Sequence, residues 1–146
     1  MKSTENHLIK TIIRIPSIII ENEEKKLPPE YLILKSKYDL IGKVLIAGNW
    51  NEWGKSPQKT THIVPNRNNA MTYQAKDFYY ELKVALPIGM HFFKPVIVLT
   101  EPFNDKTCFS HWINCYPAGV VVRMPNGSPK KYYCHKDKEN WVIIVT

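Results

Sequence analysis

Asp77 to Pro87 reads DFYYELKVALP. Phe78, Tyr80, Leu82, Val84 and Leu86 alternate with Tyr79, Glu81 and Lys83. This two-residue period predicts a strand with one buried face and one wet face. Outward from it, YLILKS, KVLIAGNW, THIVP, HFFKPVIVL, AGVVVRM, KKYYCH and NWVIIVT are short runs rich in Val, Ile, Tyr and Phe, punctuated by Pro, Gly and Asn. None keeps a helical period for long, and short β runs at this spacing predict an all-β sandwich. Pro-Ile-Gly at 87–89 and Pro-Asn-Gly at 125–127 predict hairpin turns between adjacent strands. The Asn-rich segment 66–76 reads as a long surface loop carrying one helical turn.

The first 29 residues have a different character. TIIRIPSIII is β-branched enough to predict a strand bent at Pro16, and Arg14 and Pro16 break its apolar run. Such a run is too short for the roughly 30 Å of a bilayer core, so no membrane role is expected. The charged ENEEKKLPPE that follows marks a boundary, dividing an N-terminal arm at 1–29, one strand plus linker, from a main body at 30–146. An Ile-rich arm left unpaired invites aggregation, so it is expected to be covered, by its own chain or by a protein partner.

At 146 residues the chain is large enough for one core. Twenty Lys and Arg against 13 Asp and Glu leave a net charge of +7, which draws acidic partners at long range. That charge is diffuse. The densest basic stretch, SPKKYYCHKDK, includes an Asp, so nucleic acid is disfavoured as a partner. Cys108, Cys115 and Cys134 form no CxxC and no zinc spacing, which predicts apolar fillers in a reducing, cytoplasmic setting and no metal. Cys134 and His135 are strand neighbours that point to opposite faces, which argues against a nucleophile and base. GxSxG, P-loop, HExxH and dinucleotide-type glycine turns are absent, so neither an enzyme nor a cofactor is expected.

Gly48 to Gly54, GNWNEWG, places two indoles three residues apart where Gly and Asn otherwise signal a loop. KVLIAGNWNEWG, then FYYELKVALPIGMHFFKPVIV, then Trp112 and a final ENWVIIV together resemble the glycogen-binding module of the AMP-activated kinase β-subunit and the family 48 carbohydrate-binding modules. The matching pieces are Gly48, Asn49, Trp50, Asn51 and Trp53, the turn residues Pro87 and Gly89, and Phe93 with Lys94. The likeness spans about residues 31–146. It implies an early-set, immunoglobulin-like β-sandwich, here with an extra N-terminal strand or arm, that binds α-1,4-glucan without catalysis.

By the same resemblance Trp53 and Trp112 cradle the sugar rings while Lys94 and Asn140 bond hydroxyls. Physics supports such a division: a flat indole covers the apolar C–H face of glucose at little entropic cost, and rim polar groups set orientation. Trp50, standing where the family has Phe, is expected to face the core and Trp53 to face solvent. Each residue has an ordinary structural alternative. Trp53 can cap the sandwich edge, Lys94 can be a solvated strand residue, and Asn140 a turn residue. The sequence also departs from the family. Pro95 follows Lys94, the expected Asp-Gly turn is missing, and the stretches 54–77 and 99–111 are longer. The alternative function is therefore a scaffold or protein-interaction subunit on a sandwich that has lost its sugar site.

Overall fold

Two antiparallel sheets enclose the core. The computed structural model describes residues 7–54, 63–116, 120–123, 129–135 and 139–146. In chain order these form β1 (Leu8–Pro16), α1 (Ser17–Glu24), α2 (Pro29–Lys37), β2 (Ile41–Gly48), β3 (Thr72–Gln74), β4 (Tyr79–Pro87), β5 (Gly89–Thr100), β6 (Thr107–Trp112), β7 (Val120–Arg123), β8 (Pro129–Cys134) and β9 (Trp141–Val145). The smaller sheet runs β1-β4-β3; the larger runs β2-β5-β9-β8-β7, with β6 also paired to β5. The chain is an all-β sandwich.

Strand β5 organises the larger sheet. Along one edge it pairs with β2 from Phe93 to Thr100. Along the other, residues 89–93 pair with β9 and residues 96–100 with β6, so β6 and β9 meet end to end. Pro95 lies at that junction, where the edge needs no donor from it. Its carbonyl accepts the Ile113 amide at 2.8 Å. The indole of Trp141 donates to the Ile113 carbonyl at 3.0 Å, and the Cys115 amide to the Glu139 carbonyl at 2.8 Å. Those bonds hold the end of β6 against the start of β9.

Alternation along β5 splits the sheet into two faces. Phe93, Ile97 and Leu99 point inward to join Val44, Ile46, Trp141, Ile143 and Tyr132 against Ile13, Ile15, Leu82 and Leu86 of the smaller sheet. Phe93, Tyr132 and Trp141 are mutually in ring contact, at centroid distances of 5.6 to 5.8 Å. Val96 and Val98 point outward, with Leu45, Ala47 and Ile63, into a second and smaller cluster.

Several local expectations change. The run YLILKS lies in helix α2, not a strand: Pro29 opens the helix, Glu30 sits in its first turn, Lys35 and Lys37 in its last, and of its residues only Tyr31 is buried. The bend at Pro16 does occur, but Ser17 to Glu24 continues as helix α1, so Ile18 to Ile20 are helical despite their β propensity. Packing decides here, with Ile20 fully buried. Of residues 1–29, expected as arm and linker, β1 and α1 contribute Ile13, Ile15 and Ile20 to the main core, which Tyr31 of α2 joins.

The Pro87-Ile88-Gly89 turn does not close a hairpin. Its strands β4 and β5 belong to different sheets, and Gly89, at φ 135°, carries the crossover. Strands β7 and β8 do pair antiparallel; the Pro-Asn-Gly turn between them lies outside the described residues. The Asn-rich loop holds a turn at 67–69, a bridge from Ala70 to Leu45, and then the edge strand β3. In β4 the alternation is as read for Leu82 and Leu86, both buried, whereas Phe78 is exposed at φ 56°. Ile63 of THIVP is buried without strand pairing, and Thr61 and His62 lie outside the described residues.

Candidate functional site

The outward-facing residues of the larger sheet fall into rows, because directly paired residues in an antiparallel sheet share a face. Leu45, Val96 and Trp112 form one row. Ala47 pairs with Lys94 in the next. One step past the Phe93 to Trp141 pairing, Lys94 comes beside Asn140, whose carbonyl accepts the His135 amide at 2.9 Å. Phe92, Val142 and Tyr133 form the third row. Asn49 flanks it, donating its amide to the Phe92 carbonyl at 3.0 Å and accepting the Phe92 amide on its side-chain oxygen at 3.2 Å.

The bend Gly48–Gly54 delivers Trp53 to the same face. The Asn51 side chain ties the turn down, accepting from the Gly48 amide at 2.9 Å and donating to the Ile46 carbonyl at 3.0 Å. Trp50 folds back over Gly48, so closely that a Cβ there would sit 2.6 Å from its ring. Its indole packs on the core, edge-on to His91 and tilted against Phe93. Glu52 and Trp53 then take left-handed backbone conformations, at φ 55° and 58°. Neither is glycine, so the turn stores strain of about 1–3 kcal/mol per residue. That geometry turns Trp53 away from the core and onto the outer cluster of Leu45, Ala47, Ile63, Val96 and Val98, where Trp112 also rests.

These elements line a cleft of about 630 Å³. Its walls are Asn49, Trp53, Phe92, Lys94, Trp112, His135 and Asn140. Trp53, Lys94, Trp112 and Asn140, far apart in sequence, are therefore brought together. Both indoles are half-buried, as supported but accessible rings should be, while Asn140 is buried at its edge. The Lys94 ammonium donates to the Asn114 carbonyl oxygen Oδ1 at 2.6 Å, which fixes its position. His135 meets Phe92 edge-to-face at 4.8 Å.

The sequence does not mark Asn49, Phe92 and His135 as sugar-binding residues. Phe92 and Asn49 were legible in principle, since Phe92 lies two residues before Lys94 on one strand and Asn49 two after Ala47. His135 was not, because it depends on the β8 to β9 register. Cys115 and Cys134 lie just behind this wall. Burial, and then the adjacent Cys134 thiol, push the Cys115 thiol up to about 12, which leaves almost no thiolate near neutral pH. Among the described residues the cleft walls carry one ammonium and no carboxylate, and no His, Cys, Asp and Glu cluster could hold a metal ion. No described helix is long and apolar enough to cross a membrane.

No family model, curated protein or solved structure matches this chain.

Proposed function

We propose that this chain is a non-catalytic module that binds α-glucan polymer and thereby localises a protein partner, on an immunoglobulin-like sandwich of the early-set type. The observation that carries the reading is the convergence of two half-buried indoles, a fixed ammonium and an amide in one cleft. An uncharged polyhydroxyl chain suits such walls: the rings take its apolar faces, and Lys94 and Asn140 take its hydroxyls. Among the described residues the cleft walls carry no carboxylate, which supports a binding role. The three free thiols accord with a reducing, cytoplasmic setting.

The test is co-sedimentation with amylose or glycogen, with soluble maltoheptaose as competitor. Retention that the competitor abolishes, and that is lost in Trp53→Ala and Trp112→Ala, is expected. Folded wild-type protein that stays in the supernatant at micromolar concentration refutes the reading.

A second reading, a protein-interaction subunit, has its own observation. Leu32 and Ile33 of α2 are more than half exposed, and Phe103 is 99% exposed in the loop between β5 and β6. Helix α2 packs through Tyr31 on Phe109, against the inner core and away from the cleft, so such a surface is compatible with glucan binding. A partner recruited there would be what the module localises.

A further inference from the structure

We propose that the glucan site does not end at the indole cleft but continues across the outer face to Tyr133, a second aromatic pad that selects longer chains. This extension rests on the glucan reading above. Phe92 lines the cleft, and the pairings Phe92 to Val142 and Val142 to Tyr133 place all three in one row on one face. The two inter-strand steps separate Phe92 from Tyr133 by about 10 Å along the row. Val142 between them is short and buried.

Tyr133, next to the last residue of β8, is 51% exposed, so its ring is accessible to a ligand on this face. The Lys131 ammonium stands 5.5 Å from its ring centroid. An aromatic ring flanked by one ammonium repeats the cleft's own chemistry, where the indoles adjoin Lys94. The next outward residues, Met90 and Ile144, are exposed but aliphatic. They offer no flat ring, so the aromatic track ends at Tyr133. Towards β2 the row ends in the polar Asn49. Among the described residues, a chain leaving the cleft along this row therefore finds its aromatic contact in the β8 direction.

The experiment is isothermal titration of maltotriose and maltoheptaose into wild type, Tyr133→Ala and Tyr133→Phe, each checked for native near-ultraviolet circular dichroism. One aromatic contact predicts that Tyr133→Ala weakens maltoheptaose by about three- to tenfold and leaves maltotriose within about twofold, with Tyr133→Phe near wild type. Equal losses for both sugars, no loss for either, or a Tyr133→Phe as weak as Tyr133→Ala overturns the extension alone. Wild type that binds neither sugar overturns the glucan reading and the extension together.

Discussion

The two faces of the larger sheet are built from alternate residues of the same strands, yet they differ in kind. Inward, Phe93, Trp141 and Tyr132 are fully buried and interlock with both sheets. Outward, a small aliphatic cluster supports two indoles that remain half-buried. Even the paired tryptophans of one bend divide this way, Trp50 toward the core and Trp53 toward the cleft. The difference teaches that one strand can separate a packed core from an accessible aromatic cleft by the two-residue period alone. Damage to the inner face should unfold the protein, whereas damage to the outer face should spare the fold and remove the ligand.

The sharpest break of that contrast is Trp141→Ala. It removes a fully buried ring and its bond to the Ile113 carbonyl, and an expected loss of about 3–5 kcal/mol would show as a lower urea midpoint. Gly48→Ala comes next. Its Cβ would meet the Trp50 ring at 2.6 Å, and the overpacking costs about 1–3 kcal/mol in the same assay. Trp53→Ala and Trp112→Ala, on the outer face, should each cost only about 1 kcal/mol while abolishing retention on amylose. A large stability loss in either would erase the distinction between the faces.

The smallest effect is alkaline. Burial raises the Tyr132 hydroxyl to about 12 from its ordinary 10.0, and the same cause, followed by Glu24, raises Tyr31 to about 12. Folding thus favours the neutral phenols. Their contribution is complete below pH 10.0 and falls away as pH rises toward 12. Tyr132→Phe should lose about 1 kcal/mol at neutral pH, from its bonds to the Arg14 backbone, but show a flatter decline in melting temperature above pH 10.0. An equally steep decline would remove Tyr132 from the inner face's account.

What the sequence disclosed follows from how local each signal is. The period of Leu82 and Leu86, and the inward and outward indoles of GNWNEWG, depend on neighbours within a few residues. Their reading survived. Helix α2 was missed although Pro29, Glu30, Lys35 and Lys37 are ordered as helix signals, because four apolar residues in a row, Tyr31 to Leu34, look like a buried strand. The Pro87 to Gly89 crossover was misread for a different reason: a turn sequence fixes local backbone but not which sheet the next strand joins. Trp53, Lys94, Trp112 and Asn140 could be named from motif order, but their convergence needed the end-to-end meeting of β6 and β9 on β5. Nothing within the separate motifs encodes that.

The chain has four tryptophans, two on each side of the division, and so four indole N–H signals in a proton–nitrogen correlation spectrum. Titrating maltoheptaose into labelled protein tests the division and the ligand at once. The signals of Trp53 and Trp112 should move together and saturate while those of Trp50 and Trp141 stay in place. A spectrum with all four signals unmoved, or with Trp50 and Trp141 shifting as much as the outer pair, would contradict the account.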